Sequence, residues 1–353
     1  MLSQRRFSMI FGLAAIVLTS ACSHVNVPVQ VTRPAEINLA QYKKIAVGPF
    51  QGKRDVPSNV FEALVLAVQT LGDAAKSSNQ AFQNSWQGQK DDGSDVAQNV
   101  FNSLTQTGRF SMIDFSVIPN ARASGDAVLM VSGTVADKEF SSRVTSEQKK
   151  TKEGAPYTRF TRSSEAIYNV NIKLVDISTG AIYLSRRYPC RRSTSTTQND
   201  KRPSKLGSRE IHELYDECKG EIAGAFAKAV APYTETVFAA FAKIEESPAT
   251  EAGISHAKVG NWDAAIASFE TVPATQSMAE PEVQAKTWWN LGLAYEYNFQ
   301  FGKAQEMVQK AYGLYPDSRY QMEMQSIGLL QKNQEKLKQQ EYKGDEAAVP
   351  AGS

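Results

Sequence analysis

Residues 166–188 read "AIYNVNIKLVDISTGAIYLSRRY", and the fold turns on this stretch. Val170, Ile172 and Leu174 alternate with polar residues, the spacing of a strand with one buried face. Ile167 and Ile177 extend the apolar set, with the period slipping by one between Ile167 and Val170. "DISTG" then reads as a tight turn: Asp176 and Ser178 offer oxygens to the local backbone, and Gly180 tolerates positive φ. The chain returns as a second strand, so the stretch is a β-hairpin. Just upstream, "DAVLMVSGTV" (126–135) is mostly apolar and predicts a more deeply buried strand.

Working outward, the flanks alternate between strand and helix signals. "YKKIAVGPFQ" (42–51) holds a short apolar run, Ile45 and Val47 with Ala46 and Phe50 beside them, closed by Gly48-Pro49 as expected of a buried strand. Residues 58–86 carry a helical pattern. A polar loop, 87–95, precedes a helix whose Val96, Val100, Phe101 and Leu104 share one face, with Ser94 or Asp95 as N-cap and Gly108 as C-cap. "RFSMIDFS" (109–116) reads as a strand. Residues 209–244 read as a long helical stretch broken at Pro232. Interleaved strands and helices with one hairpin predict a mixed α/β layer over 41–245.

The N-terminus places this domain. Arg5 and Arg6 precede the apolar run 9–18, and "TSA" offers small residues to a peptidase, the three zones of a secretory signal over 1–21. The run is too short to span a bilayer as a helix. "LTSAC" resembles a bacterial lipobox, in which Cys22 is lipidated and becomes the mature N-terminus; Thr19 stands where an aliphatic residue is commoner. Ser23 rather than Asp after the cysteine resembles the signal for passage to the outer membrane. The expectation is a lipid-anchored protein on the outer membrane, facing the periplasm. Residues 22–40, with two prolines and no helical period, read as an extended tether.

The whole chain has 353 residues, 39 basic and 37 acidic. The leader removes two basic residues and no acidic ones, so the mature chain is close to neutral and its bulk charge gives no reason for a nucleic-acid partner. Besides Cys22 only Cys190 and Cys218 remain; in an oxidising compartment they are a candidate disulfide, the alternative being two separate thiols. Three histidines and scattered cysteines have no zinc-type spacing, and no cofactor is expected.

"KKIAVGPF", the helix ending in "TGRF", "GDAVLMVSGTV" and "VNIKLVDISTGAIYLS" resemble the core of the CsgG family of curli-assembly outer-membrane lipoproteins, over roughly 40–245. The resemblance implies a periplasmic α/β domain that assembles into homo-oligomeric rings, and, in the type member, two hairpins per subunit that complete an export pore. The segments where hairpins belong are 137–166 and 185–210. They are rich in Arg and Lys and poor in alternating apolar residues, and a basic side chain facing lipid near the midplane costs about 2–4 kcal/mol. These segments therefore read as soluble loops, and the pore is disfavoured. Arg186, Arg187, Arg191 and Arg192 flank Cys190, and the basic loops form a candidate docking patch for an anionic glycolipid, phospholipid head groups, an anionic polysaccharide or an acidic protein; the plain alternative is a solvated face.

A second domain, 246–335, is announced by "GNWDAAIASFE". Gly260, Trp262, Ala265 and Phe269, then Trp288, Leu291, Gly292, Tyr295, Ala304, Ala311 and Pro316, resemble two tetratricopeptide (TPR) units: small residues where helices cross, aromatics in the gaps. Gly253 takes the small-residue place in the first helix. A further helix caps the array, and 336–353 read as a disordered tail. Such repeats imply an all-α helical domain whose concave groove binds a protein partner, with Asn290 and Tyr297 as candidate groove residues.

No phosphate loop, nucleophile elbow or metal-ligand cluster is legible, so the sequence reads as non-catalytic. The leading expectation is an assembly or scaffold factor for an envelope or secretion machine. A curli-type export channel and a lipoprotein regulator of a cell-wall synthase are the alternatives.

Overall fold

A computed structural model describes residues 24–52, 92–115, 118 and 127–341. The leader, Cys22, the helical pattern at 58–86 and residues 342–353 lie outside the described residues. Two compact units emerge: the described residues up to Val31 with Glu235–Lys332, and Thr32–Thr234 with the residues from Asn333 onward.

The second unit is the α/β layer. Its sheet holds β2 (Lys44–Gln51), β3 (Ser111–Ile113), β4 (Val128–Lys150), β5 (Pro156–Asp176) and β6 (Ile182–Asn199), in the order β3-β2-β4-β5-β6. β2 runs parallel to β3 and β4, and β4-β5-β6 is an antiparallel meander. Helices α1 (Asp92–Thr107) and α2 (Ser208–Val230) supply the other layer. Val170, Ile172 and Leu174 share one core with Ile45, Val96, Val100, Leu129, Ile222 and Phe226. The expected slip at Ile167 is not in β5: Ala166 and Tyr168 continue the buried face, and the register shift falls on β4, between Val135 and Asp137. Where β2, β4 and β5 meet, only a glycine fits, because a Cβ on Gly133 would sit 2.4 Å from the Asn171 carbonyl oxygen and 2.5 Å from the Phe50 ring. The turn after β5 follows its sequence: Asp176 Oδ1 accepts from the Ser178 N–H at 2.8 Å, and Gly180 has φ +75°.

Four sequence expectations are corrected here. Residues 24–33 of the expected tether are a strand, β1 (His24–Arg33), with Val27, Val29 and Val31 buried at alternate positions. The helix expected past Pro232 is instead strand β7 (Tyr233–Ala242), paired with β1 in a two-stranded sheet. Thr234, Thr236, Val237 and the aromatics around them favour an extended chain once proline has stopped α2. The expected soluble loops are the distal halves of β4, β5 and β6. The tail starts later than 336, because the last helix runs to Gln340, whose side chain bonds the Ala35 N–H and carbonyl at 2.9 Å. The boundary at 245/246 accordingly moves to 234/235.

The first unit is helical apart from β1 and β7. It holds α3 (Pro248–Lys258), α4 (Trp262–Glu270), the short α5 (Val272–Thr275), α6 (Pro281–Tyr297), α7 (Phe301–Leu314) and the start of α8 (Ser318–Gln340). The chain is thus mixed α/β followed by a helical region. In the helical core Ile254, Phe269, Trp289, Leu293 and Ile327 meet Val27, Val29 and Phe241 of the strands.

Candidate functional site

The feature that stands out is a three-stranded ribbon. Beyond Phe140, β4, β5 and β6 continue as strands: β4 stays paired with β5 to Lys150↔Pro156, and β5 with β6 to Arg159↔Asn199. Ten residues of β4 past the core give a reach of roughly 33 Å. The register assigns the faces. Lys150, Phe160, Arg162 and Arg192 lie on the face continuous with the helix-covered core; Arg143, Glu147, Lys149, Tyr157, Arg159 and Arg191 lie on the other. Hydroxyls bridge the strands, as in Thr161 with Thr197 at 3.1 Å and Ser142 with Ser164 at 3.0 Å. At the free end Asp200 accepts the Thr158 N–H at 2.8 Å, and Arg162 donates to the Pro203 carbonyl at 3.1 and 3.0 Å, folding the following chain back along the ribbon. Beyond its pairing with β2, which ends at Thr134, β4 has an edge without a strand partner among the described residues; so does β6 along its length. Apolar alternation could not reveal these strands, because both faces meet water. The signal that could have done so is the density of β-branched residues, Thr145, Thr158, Thr161, Thr194, Thr196 and Thr197.

Cys190 and Cys218 are joined as a disulfide, which fastens β6 to α2 across 28 residues. In a chain-entropy account a loop of that length contributes about 3.5 kcal/mol. The four flanking arginines do not form a free cationic patch. Arg186 pairs with Glu36 at 2.7 Å, Arg187 with Asp137, Arg191 with Glu165 at 3.2 Å, and Arg192 with Glu217 at 3.4 Å and with Glu221. The sequence reading saw a basic run because the partners come from β4, β5, α2 and the segment before β2, remote in sequence. Each cation has a carboxylate within reach, so the patch offers an outside anion little net charge.

In the helical unit the predicted small residues lie where helices cross. A Cβ on Gly253 would approach the Phe269 ring to 2.5 Å, and one on Gly292 the Val308 Cγ2 to 2.7 Å. Ala265, Phe269, Leu291, Ala304 and Ala311 are buried, and Gly260 has φ +72° in the turn between α3 and α4. Trp262 packs on Tyr297 with ring centroids 5.5 Å apart, Lys310 lies over Trp288, and Tyr295 donates to Glu270. Pro316 is exposed just past α7. Asn290, expected in an open groove, has no exposed surface. Its side chain accepts from the Ala242 N–H at 2.7 Å and donates to the Ala242 carbonyl at 2.8 Å, while Trp289 Nε1 donates to the Ala240 carbonyl at 3.0 Å. Strand β7 occupies that face of α6. Farther along α6, Glu296 is buried and accepts from Ser326 of α8 at 3.5 Å. Burial pushes the carboxyl of Glu323, on α8, upward against the pull of its hydrogen bond with Glu296.

The perturbed groups of the α/β layer are tied into the fold. Burial raises the Asp176 carboxyl, but hydrogen bonds from Ser178, Thr179 and Tyr42 outweigh it and leave the group below the ordinary range. Burial opposes the charge on Lys219, yet Asp95 at 2.9 Å and Asp216 at 3.0 Å hold its proton more firmly than usual. Among the described residues no cluster of His, Cys, Asp and Glu has the geometry of a metal site, and no helix is long and apolar enough to cross a membrane.

No protein-family profile matches the chain, and no curated protein does. Solved structures give distant likenesses. A PelC dodecamer from Paraburkholderia phytofirmans matches at 15% identity and TM-score 0.24, over 56% of this chain and 96% of that one. A neuraminyllactose-binding hemagglutinin homolog from Helicobacter pylori matches at 11% and 0.28, over 56% and 89%. A lipoprotein from Neisseria meningitidis matches at 14% and 0.16, over 51% and 98%. Likenesses this weak assign neither a family nor an activity; the chain is a mixed α/β layer with a long β-ribbon, followed by a helical region.

Proposed function

We propose that the protein is a lipid-anchored, periplasm-facing and non-catalytic assembly factor of the bacterial envelope that works as a homo-oligomeric scaffold. The observation that carries this reading is the ribbon, an ordered arm with two strand edges that no other described strand pairs. Such edges are templates for another strand. The β4 edge of one copy and the β6 edge of the next are different surfaces of the same arm, so their pairing repeats around a ring. The lipobox-like "LTSAC" supports the anchor, and the structural partners of Asp176 and Lys219 support the non-catalytic role.

A protein partner on the helical unit would meet surfaces other than the face of α6 that β7 occupies. Exposed Met322 and Leu329 on α8 are the apolar side chains best placed for it. A curli-type channel shares the open edges but needs a ribbon face that tolerates lipid. Both faces carry arginine or lysine, each costing about 2–4 kcal/mol near the bilayer midplane, so the scaffold reading is preferred.

Cysteine scanning tests the ring. Single cysteines along Ser142–Ser146 on β4 and along Thr194–Gln198 on β6 stand on opposite sides of β5. Two strand spacings, about 9.6 Å, exceed what a disulfide spans within one copy. Paired variants should therefore form a ladder of covalent oligomers in the envelope. A monomer at every position, together with a monomeric mass in sedimentation, would refute the ring.

A further inference from the structure

We infer that the free end of the ribbon is a docking tip for an anionic lipid bilayer surface, a role independent of ring formation and of the lipid on Cys22. Over 141–164 and 193–205 the chain has nine basic residues (Arg143, Lys149, Lys150, Lys152, Arg159, Arg162, Lys201, Arg202, Lys205) against three acidic ones (Glu147, Glu153, Asp200). The whole chain is nearly balanced, so this excess belongs to the ribbon, and six of the nine (Lys149, Lys150, Lys152, Arg159, Lys201 and Arg202) stand toward its free end. Nearer the core the arginines of β6 are each matched by a carboxylate. Among the described residues of the tip, only Lys149 has one, Glu147 at 3.2 Å. Arg143, Lys150, Lys152, Arg159, Lys201 and Lys205 are exposed and face water.

Their arrangement selects the partner. Lys150 stands on one face of the ribbon's end, Arg159 on the other, Lys152 in the turn and Lys201 just beyond Asn199. A linear polyanion lying along one face would miss half of them. A charged plane met end-on meets them together. Cations spread over both faces and the turn suit a surface of many phosphates. Tyr157 and Phe160 stand half-buried at the same end on opposite faces, with the Arg202 guanidinium 5.9 Å from the Phe160 ring centroid. Aromatic rings among cations are the composition of segments that rest at headgroup depth.

Each unpaired cation near such a surface strengthens binding about fivefold. The experiment uses the full chain carrying Cys22→Ala, so that no acyl group holds it, and compares it with the same chain carrying Lys150→Gln, Lys152→Gln and Lys201→Gln. The apolar stretch before Cys22 then contributes equally to both. Sedimentation with vesicles of phosphatidylcholine, alone or mixed with phosphatidylglycerol, reads the difference. The parent should favour the anionic vesicles and release them as salt rises. The triple variant should lose roughly a hundredfold of that preference while keeping the parent's circular dichroism. Equal binding of parent and variant to the anionic vesicles, or no preference by the parent, overturns the inference. So does capture of dextran sulfate in place of anionic vesicles when both are offered, which would make a soluble polyanion the partner.

Discussion

Replacing Asn290 with alanine should loosen the end of β7 before anything else in the molecule. The Asn290 amide is fully buried and makes two hydrogen bonds, 2.7 and 2.8 Å long, to the N–H and carbonyl of Ala242. Ala242 is itself buried. Alanine leaves both backbone groups out of water without their partner, at about 1–3 kcal/mol each. The middle of that range gives about 3–4 kcal/mol, and the volume lost adds to it. The neighbouring bond from Trp289 to Ala240 remains, so the strand should fray at Ala242 rather than detach. For a unit of this size 1 kcal/mol moves a melting midpoint by about 4–8 °C, so the helical unit should melt more than 10 °C lower. The α/β layer has a separate core and should keep its own transition, so calorimetry must resolve two transitions. Hydrogen exchange supplies the local reading: the Ala242 amide should lose protection while the amides of β5 stay protected. An unchanged Ala242 amide, or a midpoint lowered by less than 3 °C, would show that the Asn290 bonds do not hold β7 in place.

Gly253→Ala should also destabilise the helical unit. The added methyl meets the Phe269 ring, which is stacked on Phe241 at 5.5 Å and cannot easily retreat. Overpacking of about 1–3 kcal/mol exceeds the roughly 1 kcal/mol that alanine gains as a helix former. Adding Phe269→Leu should recover part of the loss in a denaturant titration; no recovery would place the strain elsewhere. Asp176, held below the ordinary carboxylate range, contributes stability that is present above the unfolded-state value and lost as pH falls through the folded one. Asp176→Asn should therefore lower stability at neutral pH and flatten its acid limb, and an acid limb identical to the parent's would refute the assignment.

The hairpin around "DISTG" was legible because its determinants are local. Asp176, Ser178 and Gly180 need only their own backbone, and Val170, Ile172 and Leu174 declare their face by spacing. Gly253 and Gly292 were legible through the spacing of their motif, although what keeps them small is the press of neighbouring helices. Three features were decided only by tertiary contacts. Residues 24–33 lack helical period and read as a tether until a partner strand more than 200 residues away gives them hydrogen bonds. The arginines beside Cys190 form a patch in sequence and a set of ion pairs in space, since charge is neutralised by whatever the fold brings near. The ribbon carries no hydrophobic pattern because neither of its faces is buried. Its strands hold by cross-strand backbone bonds and β-branched side chains, and sequence periodicity reports burial, not pairing.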